Sequence, residues 1–244
     1  MGRLAAWAIL AVLVGLAITI IGLKFLERWD GQLHDRPFYA HKQRAGPLKV
    51  VVFGTSLSER AKWPDDLQQA LQSCGLGDAL VLRHAKAGAN SSWGGSQAEW
   101  FGQNPPDLVI VEFAMNDADL FDGLSLDDSQ SNHLEIVRNL RQIVPDAAIL
   151  LLSTNPVTGW ARLKRPLLAR YYNSYVTVAA QADIGFLDGY GRWMQLPGRA
   201  EAIYDGVHPR PEIEAQLLAE PIAHIIATGF GAICTQDRDP APTD

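Results

Sequence analysis

A carboxylate stands three residues before a histidine in Tyr204-Asp205-Gly206-Val207-His208-Pro209, just ahead of an apolar-periodic segment that begins near Pro211. In a tight turn this spacing lets Asp205 bond one ring nitrogen of His208 while the other points outward. An imidazole held in this way has a fixed tautomer and a stabilised protonated form, which suits a general base acting on a hydroxyl nucleophile. A hydroxyl of that kind lies far upstream, where the apolar run Val50-Val51-Val52-Phe53 leads straight into Gly54-Thr55-Ser56-Leu57-Ser58. Each motif alone also fits an ordinary turn or βα loop, because short motifs acquire meaning only from their structural context. Together, Ser56, His208 and Asp205 contain the parts of a Ser-His-Asp system.

Two further segments between them end apolar runs. Residues 108–113 are continuously apolar apart from Glu112 and lead into Ala114-Met115-Asn116-Asp117, and the run at 79–82 precedes a loop that carries Gly88. In an open parallel sheet the loops after the C-terminal strand ends gather around one crevice, so Ser56, Gly88 and Asn116 would converge there. Acyl transfer places negative charge on the former carbonyl oxygen. The backbone N–H groups of Ser56 and Gly88 and the side-chain amide of Asn116 supply three donors for it. Asp117 can support hydrogen bonds at the site, but its type and position point first to capping the following helix.

At these residues the chain resembles the SGNH/GDSL hydrolase superfamily. Gly54-Thr55-Ser56-Leu57-Ser58 matches the first block, Gly88 the second, Ala114-Met115-Asn116-Asp117 the third and Asp205-Gly206-Val207-His208 the last. The blocks are individually short; their order and spacing carry the resemblance, which spans residue 48 to about residue 227. It implies Ser56 as nucleophile, His208 as base, Asp205 as its orienting partner, and an oxyanion hole formed by Ser56, Gly88 and Asn116. Thr55 stands where the family usually has aspartate and Ala114 where it usually has glycine. Neither departure removes a group that the chemistry needs, but both leave the subfamily, and with it the substrate, open.

The elements that position these residues are legible as alternating patterns. Strands are expected at 49–53, 79–83, 108–113, 148–152 and 185–187, and helices at 64–73, 97–101, 132–144, 163–182 and 211–228, the last kinked or interrupted at Pro221. The third and fourth strands are nearly continuous apolar runs, as parallel strands covered on both faces should be. The expected fold is a three-layer α/β/α sandwich around a mainly parallel five-stranded sheet, flavodoxin-like in type. The domain division is an N-terminal anchor at 1–24, a juxtamembrane linker at 25–47, the hydrolase domain at 48–230 and a disordered tail at 231–244.

The anchor rests on residues 4–23, which carry no charged side chain and are flanked by Arg3 and Lys24. As a helix this run would span roughly 30 Å, the thickness of a bilayer's hydrocarbon core. It exceeds a usual signal-peptide core and no small-x-small cleavage site follows it. A single-pass anchor with the domain on the extracytoplasmic, periplasmic side is the favoured reading. Lys24, Arg28 and Arg36 argue for the cytoplasmic face instead, and a cleaved signal with secretion is the remaining alternative.

The whole chain of 244 residues has a net charge of −6 and no basic cluster interleaved with aromatics, which argues against nucleic acid as a partner. Cys74 and Cys234 are the two cysteines; they fit a disulfide in an oxidising compartment and unpaired thiols equally well. Neither has metal-ligand spacing to other residues, so no metal and no cofactor are expected. His34, His41, His84, His133 and His224 read as surface or structural residues. Trp63, Trp93, Trp160 and Trp193 all follow expected strands, where flat rings could stack on sugar faces or cover a core edge.

The function expected is a serine esterase acting on acyl, in particular acetyl, esters of small molecules or of a carbohydrate or cell-envelope glycan. The same residues allow an O-acyltransferase, a lysophospholipase or a thioesterase. A non-catalytic flavodoxin-like module holding phosphate or flavin at Thr55-Ser56 would leave Asn116, Asp205 and His208 without a role, and the loop lacks the glycine density of dinucleotide sites.

Overall fold

The computed structural model describes Trp7, Ile9, Leu10 and residues 12–15, 29–40 and 46–234. Its centre is a sheet of five parallel strands, β1 (Lys49–Gly54), β2 (Leu80–Ala85), β3 (Leu108–Glu112), β4 (Ala148–Ser153) and β5 (Gly185–Asp188), in the order β2-β1-β3-β4-β5. The helical segments between and after them are α1 (Ser56–Glu59), α2 (Trp63–Ser73), α3 (Ser91–Gly95), α4 (Ala98–Gln103), α5 (Ala114–Asp117), α6 (Leu126–Ile143), α7 (Gly159–Lys164), α8 (Leu168–Ala182), α9 (Gly189–Gln195), α10 (Pro211–Glu214) and α11 (Glu220–Gly229).

Alternation along the strands divides the core in two. Val51, Phe53, Val109, Val111 and Leu151 face α6 and α8, packing on Ile136, Leu140, Tyr175 and Val178. Val50, Val52, Ile110, Leu150 and Leu152 face the other way, onto Trp63, Leu67 and Leu71 of α2 and Ile222 and Ile226 of α11. β1, β3 and β4 are thus apolar on both faces, which makes their sequences continuous rather than alternating, while the edge strand β2 is largely exposed. This is the expected three-layer sandwich.

The order β2-β1-β3 reverses the direction of winding at β1, so the loops after β1 and β3 leave a crevice between them. Ser56 follows β1 and Asn116 lies in α5 after β3. Their position at the switch point is therefore a consequence of topology.

Several boundaries differ from expectation for local reasons. The segment expected as one helix over 163–182 is two, because Arg165 before Pro166 leaves the helical region (φ −126°, ψ 54°) and ends α7. α6 begins six residues before the expected start, with the Ser125 hydroxyl accepting the Asp128 N–H as its N-cap. Pro221 offers no N–H to the preceding turn, and the chain widens into a π-helical turn at Ala215–Ala219 before α11.

The described part of the segment read as a linker packs on the domain. Arg36 pairs with Phe186 at the β5 edge through N–H···O bonds of 2.8 and 2.9 Å, and Phe38 is buried against Gly185 and Gly229. At the other end Cys234 is disulfide-bonded to Cys74 at the C-terminus of α2, closing a separation of 160 residues. The first residues of the expected tail, 231–234, are therefore fixed, while 235–244 lie outside the described residues. Most of the expected anchor at 4–23 also lies outside them. No helix among the described residues is long and apolar enough to cross a membrane.

Candidate active site

β1 delivers its C-terminal end to a sharp turn, and Gly54 permits it: a Cβ there would fall 2.1 Å from Glu112 Oε1. Thr55 then caps α1 by accepting the Leu57 N–H at 3.2 Å, leaving Ser56 as its first residue. The Ser56 N–H, as an N-terminal helix donor, has no intrahelical partner.

His208 arrives from the opposite side. The turn at 204–208 is closed by Tyr204 N–H bonding His208 O at 3.1 Å, and two donors from the loop after β4 hold it down: Thr158 N–H to Gly206 O at 2.9 Å and the Asn155 amide to Val207 O at 2.7 Å. Within the turn, Asp205 Oδ1 accepts the N–H groups of Val207 and His208 at 2.9 and 2.7 Å. Its Oδ2 lies 2.7 Å from His208 Nδ1, and His208 Nε2 lies 2.9 Å from Ser56 Oγ. A carboxylate beside Nδ1 places the ring proton there and leaves Nε2 free to accept the serine hydroxyl. Partial burial works against the charge on Asp205. The His208 N–H, the His208 ring and the Val207 N–H outweigh it and hold the carboxyl below its ordinary value.

Gly88 adopts φ +76°, a conformation that disfavours a side chain, in the loop before α3. Asn116 Nδ2 donates to the carbonyl of the next residue, Ala89, at 2.7 Å. One amide hydrogen is so fixed, and the planar geometry of the group directs the second. The structure thus brings together Ser56, His208 and Asp205 by direct hydrogen bonds, and ties Asn116 to the Gly88 loop.

Asp117 does something other than cap a helix. Ser125 caps α6, while Asp117 accepts the Ser91 N–H at 2.8 Å and the Ser129 hydroxyl at 2.6 Å, joining the start of α3 to α6. A relay of buried side chains fixes the start of α5. The Tyr175 hydroxyl accepts the N–H groups of Phe113 and Ala114 at 3.1 and 3.0 Å and so must donate to His133 Nε2, 2.8 Å away. His133 Nδ1 then donates to Ser129 O at 2.7 Å, and burial lowers its proton affinity accordingly. His133 is thus a structural helix residue, as its sequence position suggested, whereas Tyr175 lies in no motif.

The tryptophans divide. Trp63 and Trp193 are fully buried core residues and offer no stacking face, and Trp93 is half-buried among Phe53, His84 and Phe113. Trp160, on α7, is 70% exposed. α7 runs between the two halves of the site, since Ala161 Cβ lies 3.6 Å from where a Gly206 Cβ would stand and Lys164 O accepts the Leu120 N–H at 2.9 Å. With Leu120, Phe121, Leu163 and Tyr204 it gives this side an exposed apolar rim. A cavity of about 380 Å³ lies behind α7, walled in part by Thr158, Arg162, Tyr190 and Arg199.

The chain belongs to the GDSL-like lipase/acylhydrolase family, whose model matches residues 50–215. It is accordingly an ester-bond hydrolase. A GDSL esterase/lipase of Arabidopsis thaliana is 27% identical over 192 residues, 66% of this chain and 78% of that protein. In fold the chain is similar to a lipase/acylhydrolase from Enterococcus faecalis, with TM-score 0.65 and 20% identity over 78% of this chain and 99% of that one. It is also similar to the acetylxylan esterase Axe2 from Geobacillus stearothermophilus, with TM-score 0.63 and 18% identity over 78% and 97% of the two chains. A third is a carbohydrate acetylesterase from Sinorhizobium meliloti, with TM-score 0.60 and 14% identity over 74% and 99%.

Proposed function

We propose that this hydrolase cleaves short acyl esters, in particular acetyl esters of a carbohydrate or cell-envelope glycan, through an acyl-enzyme on Ser56. The observation that carries the reading is the unbroken hydrogen-bonded line from Asp205 through His208 to Ser56. Ser56 Oγ attacks the ester carbonyl while His208 Nε2 takes its proton. The oxyanion is met by the N–H groups of Ser56 and Gly88 and the second amide hydrogen of Asn116. The tetrahedral intermediate collapses, His208 returns the proton to the leaving alkoxide, and the acyl group stays on Ser56. Water, deprotonated by His208, then releases the acid and restores the serine.

The substrate class rests on two supports. Two of the similar folds are named as an acetylxylan esterase and a carbohydrate acetylesterase. Tyr204 stands next to Asp205 with its ring 6.2 Å from that of His208 and tilted 27° to it, and Trp160 is exposed on α7. Amphipathic rings of this kind can stack on sugar faces.

The domain sits outside the cytoplasm, held by residues 4–23 as a membrane anchor. The described part of that segment is helical, and Trp7, Ile9, Leu10, Val12, Leu13 and Val14 are exposed. An apolar helix with its side chains uncovered needs an apolar surrounding. The disulfide between Cys74 and Cys234 favours an oxidising compartment, which opposes the cytoplasmic orientation suggested by Lys24, Arg28 and Arg36.

Acid release by the full-length protein in detergent, from acetylated oligosaccharide, a long-chain lysophospholipid and an acyl thioester, tests the substrate class. Preference for the sugar acetate is expected; preference for the lipid would transfer the exposed rim to an acyl-chain role and overturn the glycan reading. Acyl transfer to added sugar in place of acid release would make the protein an O-acyltransferase.

A further inference from the structure

The carboxyl group of Glu112 lies directly beneath the turn that carries Ser56. Glu112 ends β3 and stands beside Gly54 in the parallel register. It is buried, and three donors converge on it, all from that turn. The Thr55 N–H is 2.6 Å away, the Thr55 hydroxyl 3.0 Å and the Ser58 hydroxyl 2.6 Å. The Thr55 oxygen accepts the Leu57 N–H at the same time as its hydroxyl donates to Glu112, so one side chain ties α1 to the carboxyl. The close approach has been made possible by a glycine at position 54, whose missing side chain leaves room for Oε1.

We infer that Glu112 is a positioning residue for ester hydrolysis, its carboxylate holding the Thr55–Ser58 turn so that the hydroxyl and N–H of Ser56 face the substrate. The inference rests on the Ser56 acyl-enzyme reading above. It follows from the partners: the Thr55 N–H can only donate, and the Thr55 and Ser58 hydroxyls can each turn a hydrogen toward an ionised carboxylate, which has only acceptor sites. A protonated carboxyl would have to turn one of the hydroxyl bonds round, and the bonds it still accepts would lose the assistance of its charge. Glu112 therefore works on the geometry of Ser56 without touching the ester.

Protonation of this group falls in a useful range. Burial pushes the Glu112 carboxyl up to about 7, against the pull of its bonds to Ser58 and Thr55. The Glu112 charge in turn acts on the titratable groups nearest it, helping to raise the Glu214 carboxyl of α10 and the hydroxyls of Tyr172 and Tyr175 of α8. Glu214 is itself pushed up to about 8 by burial and by Asp66 as well as Glu112, so it reinforces proton uptake in this region.

The test is the pH dependence of kcat and KM for p-nitrophenyl acetate, using the full-length protein and two variants. Ser58→Ala deletes a hydrogen bond that favours the ionised carboxylate, so the acid limb of kcat should move to higher pH. Its activity near neutrality should fall several-fold and return in more alkaline buffer, with KM unchanged. Glu112→Gln should lower kcat about tenfold, the scale of one lost charged hydrogen bond, and remove one ionisation from the acid limb. A Ser58→Ala profile superimposable on that of the parent overturns the inference, as does a Glu112→Gln enzyme with parental kcat and profile. If Glu112→Gln fails to fold, the Ser58→Ala profile decides alone. Ser56→Ala is the control: retained turnover there would remove the nucleophile assignment, whereas its loss beside an unshifted Ser58→Ala profile would sink the role of Glu112 only.

Discussion

The side-chain amide of Asn116 is bonded to the carbonyl of Ala89 at 2.7 Å, one residue beyond Gly88. This bond joins the loops after β2 and β3 and leaves the amide's second hydrogen available. Asn116→Ala should therefore lower kcat by about 10²–10³ with little change in KM, the effect of losing one oxyanion donor. Melting temperature and kcat measured on the same variant distinguish this from a structural role. A destabilised protein with full turnover per folded molecule would take Asn116 out of the site.

Asp205→Asn should keep the fold and lose about 10⁴ in kcat, because an amide facing Nδ1 favours the wrong imidazole tautomer. Asp117→Asn should act differently, loosening the Ser91 and Ser129 contacts and lowering stability more than chemistry. If Asp117→Asn abolished turnover while Asp205→Asn remained active, the orienting carboxylate would have been misassigned.

Stability should fall as pH rises through neutrality. Glu112 and Glu214 are raised from 4.5 to about 7 and about 8, so between those limits the native state binds more protons than the unfolded chain. Their contribution is complete below the unfolded value and is lost as pH passes the folded one. For Glu112 the whole change amounts to about 3 kcal/mol as an upper estimate. Asp205, held low, acts in the opposite sense only in more acidic solution. Urea unfolding across this range should show the decline, and Glu112→Gln should flatten part of it. A parental protein whose stability increases steadily from acid to mildly alkaline pH would contradict both assignments.

Much of the architecture could be read from the chain because the physics repeats along it. Val50 to Phe53 and Leu108 to Val111 are continuous apolar runs since each strand has a layer on either face. Ser56, Asn116 and His208 stand at the ends of elements where the topology opens a crevice. What escaped reading was set by contacts remote in sequence. α1, α3 and α5 are too short to show a helical period, and Trp63 and Trp193 look like loop residues until the layers close over them. Glu112 carried a local signal, a lone charge at the end of a buried strand. Its partners Thr55 and Ser58 become visible only once β1 and β3 are neighbours. Tyr175 and His133 gave no such signal, since their role depends on α6 and α8 meeting over β3.

The disulfide closes most of the domain, and its removal should cost stability while sparing chemistry. Cys74 lies at the end of α2 opposite to Trp63, whose indole N–H bonds Leu57 O near the site at 2.7 Å. Cys74→Ser should lower unfolding free energy by about 2–5 kcal/mol, the usual range for a native disulfide, with kcat retained at low temperature. Unchanged stability after thiol reduction would mean that the two cysteines are not paired in the native protein.

Fractionation addresses the anchor. The full-length chain should stay with membranes through a high-salt wash, which strips electrostatically bound proteins but leaves a spanning helix. A reporter fused after Asp244 and active only outside the cytoplasm should work. Recovery of the intact chain as soluble protein would count against the anchor, and a new N-terminus after Leu23 would mark a cleaved signal.

Covalent capture of the nucleophile tests the central claim most directly. A fluorophosphonate probe should label the full-length protein at a single serine, Ser56, and mass spectrometry of the digested adduct locates it. Labelling should disappear in Ser56→Ala and become far slower in His208→Ala, with acid release from p-nitrophenyl acetate falling by about 10⁴ or more in each, and the double variant little worse than either alone. Label on another residue, or full acid release by Ser56→Ala, would contradict the account.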